Sequence, residues 1–359
     1  MNFDAFVNRI LEEIKEHLPE KFQDTEFSVI QHEKLNKQYA ALTIADTSVA
    51  PVINLEDYFW DYEHGRSFES IIGAIAESVE MEYPKIDLDV LADFDKAKEL
   101  LFIRVNSVDK NEGYLKKIPH TIVEDIAITY HLKMDENETG VASAVVANDA
   151  LRMYGVTVEE LHKAALENSE KMFPTYIFDL HERMRENFIA DMKNDGMPDE
   201  AIEMMLEEFP ESNDHGMTVV TNDVGVNGAA VIFYPGVMDK MAGMVEGDFF
   251  ILPSSVHETI ILPDRGEFSP EYLADMVKEI NATQVDPWDR LTDEVYHYDP
   301  IDKVFEKASA FEERIAKKAE TERNEKKQSI MDKLGEKKEV AKAMVGEKKT
   351  PHRTAEASL

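Results

Sequence analysis

The chain has 359 residues, of which 73 are Asp or Glu and 39 are Lys or Arg, giving a formal net charge of −34. This charge argues against a nucleic-acid backbone or an anionic membrane surface as the partner of the main body, because both require a basic protein face. The absence of cysteine excludes disulfides, thiolate nucleophiles and cysteine-ligated metal centres.

The N-terminal segment predicts an amphipathic helix. Apolar residues recur at helical spacing from Phe3 to Leu18, with Asn2 as the cap and Pro19 as the stop. The segment is acidic and lacks the basic region and unbroken apolar core of a secretory signal. No apolar run approaches the roughly 18 residues of a membrane-spanning helix. We therefore expect a cytoplasmic protein without a membrane partner.

Residues 1–115 are predicted to form a first α+β lobe. Strands are expected at residues 26–32, 38–44 and 49–54, and a helix follows Ser67. Aromatic and acidic residues alternate between the last strand and this helix. Tyr58 and Trp60 in that run could hold a cationic ligand by cation–π contact. The simpler interpretation of this aromatic cluster is an interface between helix and sheet.

A second α+β lobe is predicted for residues 116–300. Two strand-like runs, residues 123–134 and 140–148, are joined by a polar turn. The turn resembles the opening of a calcium loop, but Val146 stands where the bidentate glutamate should be, so we predict a hairpin turn. Thr157 and Glu160 form a capping box for the next helix. Residues 176–209 are predicted to be mostly helical and Met-rich.

Residues 217–263 are predicted to be the structural centre of the second lobe. Strands at residues 218–221 and 229–234 should flank a loop, and a short helix should follow at residues 237–245. Two further strands, residues 248–252 and 256–262, are expected to form a hairpin. A helix beginning after Ser269 and a last strand at residues 294–298 should complete the lobe.

The most site-like polar cluster lies in this hairpin and consists of Ser254, Ser255, His257 and Glu258. A hydroxyl, an imidazole and a carboxylate are the groups that activate a nucleophile. On a strand, however, His257 and Glu258 would point to opposite faces, so one could not orient the other. The alternative is a hairpin whose serines bond their own backbone.

Two loop asparagines, Asn222 and Asn227, could donate hydrogen bonds to a ligand, although loop asparagines often serve only to adopt positive φ. The sequence has no phosphate-binding, dinucleotide-binding, serine-hydrolase or zinc-protease motif. Its histidines offer no closely spaced pair for a metal. We therefore predict no cofactor and no metal site.

The C-terminal segment differs in charge from the rest. Residues 301–359 contain 15 basic and 12 acidic residues, whereas the first 300 contain 24 and 61. Apolar residues continue a helical stripe from Ile301 to Ile315 and then become rare. We predict a solvated helix that becomes disordered near Gly346. This basic tail could dock on the acidic body, on a partner or on nucleic acid.

Five stretches resemble a family of uncharacterised domains. They read INLEDYFWDYEHG, YGVTVEELHKAALEN, VNGAAVIFYPGVMDKMA, GDFFILPSSVHETIILPD and NATQV. The resemblance covers roughly residues 1–300 and implies relatives in gut anaerobic bacteria and their mobile elements. The chain is more distantly similar to the YtpQ family. Neither family implies an activity or catalytic residues.

Together these patterns predict an α+β protein with mixed or antiparallel sheets, packed helices and two lobes, followed by the charged tail. The leading functional hypothesis is a non-enzymatic binding or accessory protein with a protein partner. A hydrolase with its site near residues 254–258 is the first alternative. A DNA mimic, whose carboxylates imitate phosphates and decoy a basic protein, is the second.

Overall fold

The computed structural model describes residues 1–45, 51–81, 91–137, 140–207, 216–253 and 255–346. Within these ranges the protein has the expected α+β architecture, with antiparallel sheets packed against helices. Contacts divide the chain into a first compact unit, Met1–Phe305, and a second that begins at Glu306. In the described ranges, no helix is long and apolar enough to cross a membrane. The boundary between two lobes near residues 110–120 stays a prediction.

The strands, numbered in chain order, are β1 (Phe27–Lys34), β2 (Lys37–Ile44), β3 (Ile53–Asn54), β4 (Leu101–Ser107), β5 (His120–Val123), β6 (Ile126–Asn137), β7 (Gly140–Val145), β8 (Thr175–Asp179), β9 (Thr218–Asn222), β10 (Phe249–Leu252), β11 (Thr259–Pro263), β12 (Tyr296–Asp299) and β13 (Val304–Lys307). One sheet has the order β1–β2–β3, and a second has the order β4–β6–β5 with β7 also paired to β6. In the first unit, a third sheet runs β12–β10–β11–β9–β8.

The α-helices are Phe3–Glu13, Leu55–Glu63, Phe68–Glu80, Phe94–Ala97, Val108–Leu115, Asn148–Tyr154, Val158–Met172, Leu180–Asn194, Asp199–Leu206, Val237–Val245, Pro270–Thr283 and Ala308–Gly346. Several begin where the sequence supplies a cap. The Thr157 hydroxyl accepts from the Glu160 backbone amide while the Glu160 carboxylate accepts from the Thr157 amide, which confirms the predicted capping box.

The first hydrophobic cluster joins the β1–β2 hairpin to the early helices. Its buried members come from residues 6–79 and include Phe6, Leu42 and Ile71. One face of the hairpin, which carries Val29 and Leu42, packs on this cluster. Since side chains alternate along a strand, the other face of the hairpin points away from these helices.

The larger cluster lies between the second and third sheets. It packs the apolar face of β4 and β6 against the helix Val158–Met172, through Leu161 and Ala165. The Ser169 hydroxyl of that helix accepts a hydrogen bond from the Ile103 backbone amide at 2.9 Å. This packing fixes which face of β4 is buried in the core.

The structure corrects two predicted strands of the central stretch. Residues 229–234 are not a strand, because Gly228–Phe233 forms a 3-10 helix whose first five residues are buried. A uniformly apolar run carries no periodicity that separates strand from helix. The strand predicted at residues 256–262 begins only at Thr259, because the Val256 backbone bonds Asp289 and Ala229 instead of a neighbouring strand.

Two further segments begin differently from the prediction. Residues 176–209 are mostly helical as predicted, in Leu180–Asn194 and Asp199–Leu206, but β8 occupies Thr175–Asp179 at the edge of the third sheet. The helical stripe expected from Ile301 starts only at Ala308. The Asp299 carboxylate accepts from the Ile301 and Asp302 amides, and Lys303 adopts a positive φ of 57°, which ends any helix there.

Candidate functional site

The sheet of β4, β6 and β7 has one apolar face and one unusually polar face. In the β4–β6 pair, Ile103 lies opposite Tyr130 on the apolar side, and Arg104 lies opposite Thr129 on the other. The polar side does not face open solvent, since Thr129 is fully buried and His131 is 4% exposed. A buried polar sheet face requires hydrogen-bond partners or a ligand.

A chain of hydrogen bonds satisfies part of this face. The Asn106 amide donates to the Thr129 hydroxyl at 2.9 Å, and that hydroxyl shares a 2.9 Å hydrogen bond with His131 Nε2. These three side chains hold one another in fixed rotamers. They form a rigid floor beside Arg104.

Arg104 itself lacks such partners. No carboxylate in the described part of the chain lies within ion-pair distance of its guanidinium, and its buried Nε has no hydrogen-bond partner. The ring of Phe102 lies 5.3 Å from the guanidinium carbon. Burial lowers the pKa of Arg104 to about 10, which leaves the side chain cationic at neutral pH. Arg104 is therefore a desolvated cation without a counter-ion from the described residues.

The free face of the β1–β2 hairpin supplies a second set of basic groups. His32 lies opposite Tyr39, and Lys34 lies opposite Lys37. Lys37 pairs with Asp57 at 3.0 Å, whereas Lys34 has no carboxylate partner among the described residues. This face carries three basic side chains in a chain with nearly twice as many acidic as basic residues.

A cavity of about 790 Å³ separates the hairpin face from the polar sheet face, and we call it the basic cleft. Its size lies within the range of small-molecule binding sites. The described lining consists of His32, Lys34, Leu35, Asn36, Lys37, Tyr39, Val52, Arg104, Asn106, Tyr114, His131, Val141, Ala142, Ser143, Val145, Asn227, Val256, His257, Trp288 and Asp289. The cleft thus concentrates positive charge within an acidic protein.

The basic groups of the cleft perturb one another. Burial lowers the pKa of Lys34, and the charges of Arg104 and Lys37 lower it further. Burial holds the pKa of His131 well below its ordinary value, with Arg104 and Lys34 adding to the effect. Lys34 lines the cleft and is exposed to solvent, although neighbouring protein partly desolvates it. An anion in the cleft would relieve this mutual repulsion.

Contacts at the turn hold the hairpin wall in place. Asn36, at a positive φ of 63°, donates its backbone amide to Asn111 Oδ1 at 2.7 Å, and Asn111 Nδ2 donates to Asn36 Oδ1 at 2.6 Å. Asn111 also donates to the Ser107 carbonyl at 2.8 Å, which ties the hairpin to the end of β4. An ion pair between Lys117 and Glu33 adds a second link.

The rim of the cleft is built from two loops that meet at His257. The Thr221 hydroxyl donates to the His257 carbonyl at 2.7 Å. The Asn227 backbone amide donates to His257 Nδ1 at 3.2 Å, and His257 Nε2 lies 3.3 Å from Asp289 Oδ1. Since Nδ1 accepts a hydrogen bond, the ring carries its hydrogen on Nε2 and directs it to Asp289.

Gly228 makes this close approach of the two loops possible. An added Cβ at Gly228 would overlap the Thr221 hydroxyl, and it would lie 2.6 Å from the His257 carbonyl and 2.7 Å from the Asn222 amide. Only glycine fits at this position without moving one of the two loops.

The described catalytic candidates, Ser255, His257 and Glu258, are not assembled as a nucleophile and its base. The Ser255 hydroxyl accepts from the His257 backbone amide at 3.0 Å, the expected serine-to-backbone turn. Both ring nitrogens of His257 are engaged, so neither is free to take a proton from a serine. Glu258 is exposed and does not line the cleft. Ser254 lies outside the described residues.

The predicted ligand-binding candidates fall in different places. Asn227 lines the basic cleft, and Asn222 lines a smaller cavity beside it. The Asn222 side chain braces its own loop, since Oδ1 accepts from Val224 and Gly225 and Nδ2 donates to the Val226 carbonyl. Asn227 is therefore the better placed of the two to contact a ligand.

The aromatic cluster lies apart from the cleft. Trp60 is 59% exposed and stacks on His64 at 3.8 Å, and Tyr58 packs against the first hydrophobic cluster. Neither residue lines the cleft. Within the described ranges, no group of three or more His, Asp or Glu side chains is arranged to hold a metal ion.

Sequence reasoning missed the residues that define the cleft, above all Arg104 and Lys34. A signal was present in both strands. In FIRVNSV, Arg104 and Asn106 alternate with apolar residues, and in the first hairpin His32 and Lys34 share one face. Alternation predicts a polar face, but it does not reveal that the two polar faces meet.

Comparison with known proteins shows the family and nothing more specific. The chain matches a family of unknown function, DUF5688, over residues 3–300, and it therefore belongs to that family. This confirms the expected membership of an uncharacterised domain family. No curated protein and no solved structure matches the chain.

Proposed function

We propose that this DUF5688 member is a binding protein whose basic cleft holds an anionic small molecule. One observation carries the proposal: Arg104 is a desolvated cation with a buried Nε that has no hydrogen-bond partner. A desolvated cation without a counter-charge costs free energy, so the place of Arg104 in the cleft lining is best explained by an anionic ligand that supplies the missing charge.

The chemistry of the surrounding groups agrees with an anion. Arg104 and Lys34 offer charged donors without competing carboxylates among the described residues, and Asn227 adds a neutral amide. Charge-assisted hydrogen bonds of this kind are the usual means of binding phosphate and carboxylate groups. His257 has a partner on each ring nitrogen, the Asn227 amide and Asp289. Because neither nitrogen is free to transfer a proton, the cleft is better suited to binding than to catalysis.

Calorimetric titration with inorganic phosphate tests this proposal. We expect the wild-type protein to bind, and we expect Arg104→Gln to weaken affinity by at least about tenfold through loss of charge-assisted hydrogen bonds. The control is Arg152→Gln, since the Arg152 side chain is 72% exposed and pairs with Asp149 on the surface. Equal affinity of wild type and Arg104→Gln would refute the proposal.

Unfolding of the ligand-free protein separates a binding role from a structural one. If Arg104 is kept for a ligand, Arg104→Gln removes a desolvation cost and stabilises the unliganded protein by about 1 kcal/mol. If Arg104 instead stabilises the fold, the same variant unfolds at a lower urea concentration.

The wider role stays a prediction. A binding protein is compatible with the expected accessory function beside mobile elements, and with a protein partner that recognises the acidic surface. The DNA-mimic alternative requires carboxylates in a band with the spacing of phosphates, and scattered negative surface potential would count against it.

A further inference from the structure

A second cavity adjoins the basic cleft and differs from it in character. It encloses about 290 Å³ and shares Arg104, Val141 and Asn227 with the cleft. The rest of its described lining is Phe102, Ile103, Phe173, Asn222, Val224, Val226 and Tyr234. We call this space the side cavity.

The walls of the side cavity are mainly apolar and aromatic. Phe102 and Phe173 are almost fully buried and meet edge to face, with ring centroids 5.0 Å apart. At the mouth, Val224 and Val226 are 43% and 50% exposed. Exposed apolar side chains beside a packed aromatic wall favour an apolar ligand group that would cover them.

The polar groups of the side cavity are neutral apart from Arg104 at its border. No carboxylate is present among its described lining residues. Burial raises the pKa of Tyr234, so its phenol stays protonated. The cavity therefore suits an uncharged ring or branched chain better than a second charged group.

The two cavities together define a ligand with a charged end and an apolar end. Arg104 and Lys34 are two cations without carboxylate partners among the described residues, which matches a dianion better than a single carboxylate. A guanidinium also matches the oxygen geometry of a phosphate group. Arg104 lines both cavities, so a single molecule that occupies both would contact it.

We propose that the ligand is a phosphomonoester of a ring-bearing alcohol, with its phosphate in the basic cleft and its ring in the side cavity, an inference that rests on the proposed anion-binding function. The ring then packs against Phe102 and Phe173, while Arg104 and Lys34 bind the phosphate. Asn227, which lines both cavities, contacts the ester junction.

Three probes at constant ionic strength test this inference by calorimetry: inorganic phosphate, phenyl phosphate and phenol. We expect phenyl phosphate to bind about tenfold or more tightly than inorganic phosphate, because the ring is removed from water. Phenol, which lacks the dianion, should show no measurable binding.

A double variant, Val224→Asn/Val226→Asn, tests the side cavity without changing charge. Both valines are exposed, so the fold should tolerate the change. We expect the preference for phenyl phosphate over inorganic phosphate to fall by at least about fivefold, while affinity for inorganic phosphate stays the same. Ile122→Asn, at a residue 53% exposed elsewhere on the surface, is the control and should keep the full preference.

The outcomes separate the two proposals. Binding of inorganic phosphate without a gain for phenyl phosphate, or an unchanged preference in the double variant, overturns the inference and leaves the anion site intact. If neither phosphate compound binds, the proposed function and this inference both fail.

Discussion

Arg104 illustrates how a single residue can reveal a site. A cation removed from water is retained at a cost to stability unless a partner compensates it. In this protein acidic residues are abundant, yet no described carboxylate pairs with Arg104. The neighbouring charge of Lys34 increases that cost rather than reduces it, since Arg104 and Lys34 repel each other. The arrangement is understandable if the compensating charge arrives with a ligand.

Gly228 is the residue on which the rim depends most strictly. We predict that Gly228→Ala destabilises the protein by about 2–4 kcal/mol, because the new methyl group collides with the end of β9 and with the His257 carbonyl. Urea unfolding measures the change. The matched control is Gly243→Ala, inside the helix Val237–Val245, where an added Cβ meets nothing within 4 Å.

The control should behave in the opposite way. Alanine is a better helix former than glycine, so Gly243→Ala should be neutral or stabilise the fold by up to about 1 kcal/mol. Equal effects of the two substitutions would show that the close approach at Gly228 is not important for stability.

His131 gives the cleft a predictable dependence on pH. Its pKa is depressed in the folded state, so below the ordinary value of 6.5 the unfolded chain binds a proton that the folded chain does not. The free energy of unfolding must therefore fall as the pH decreases below about 6.5. Urea unfolding at pH 7 and at pH 5 should show this loss of stability.

The variant His131→Gln measures that contribution, since glutamine can bond Thr129 and does not titrate between pH 7 and 5. We expect the loss of stability over this range to be smaller in the variant than in the wild type. Identical pH profiles for the two proteins would mean that His131 titrates normally in the fold.

At the scale of elements, the cleft depends on how the β1–β2 hairpin is held. Asn111 makes three hydrogen bonds that join the hairpin turn to the end of β4, and it does not line the cleft. We predict that Asn111→Ala costs about 2–3 kcal/mol in stability, because it leaves buried groups unpaired. It should also weaken phosphate binding by displacing the wall that carries Lys34.

Asn168→Ala is the matched control for this prediction. Asn168 is likewise a side chain that links distant segments: it donates to the main-chain carbonyls of Glu99 and Leu101, and it does not line the cleft. Calorimetry should show a loss of stability in both variants but a loss of phosphate affinity only in Asn111→Ala. If both variants bind phosphate with equal affinity, the hydrogen bonds of Asn111 do not position the binding site.

Much of the element order could be predicted from the sequence, because local patterns determine it. The helix predicted from the capping box at Thr157 and the strands predicted at residues 26–32 and 38–44 are all present. The strand predicted at residues 229–234 was wrong, because a uniformly apolar run such as Gly228–Phe233 has no periodicity that distinguishes a strand from a helix. The edge strand β8 was missed because its residues continue directly into a helix.

The site could not be predicted in the same way, because it depends on contacts distant in sequence. Lys34 and Arg104 are separated by 70 positions, and each is an ordinary polar residue of a half-buried strand when considered alone. Asn227 and His257 were both candidates from the sequence and both line the basic cleft, but Asp289, the partner of His257, comes from a third segment. Only the packing of the sheets shows that these groups share one cavity.

At the scale of the whole molecule, charge is distributed in an uneven way. The first 300 residues carry 61 acidic and 24 basic side chains, yet the described lining of the basic cleft contains three Lys or Arg residues and one Asp. The net negative charge repels anions at long range, and salt screens this repulsion over about 8 Å at physiological ionic strength. Anion binding must therefore rely on short-range contacts inside the cleft.

X-ray diffraction from crystals grown with tungstate tests most directly whether Arg104 binds an anion from solution. Tungstate is a tetrahedral dianion whose heavy atom can be located by its anomalous signal. We predict a tungstate in the basic cleft with an oxygen about 2.7–3.1 Å from a terminal guanidinium nitrogen of Arg104. A crystal structure with no tungstate in the cleft, in which the Arg104 guanidinium pairs with a carboxylate of the chain itself, would rule out anion binding at this residue.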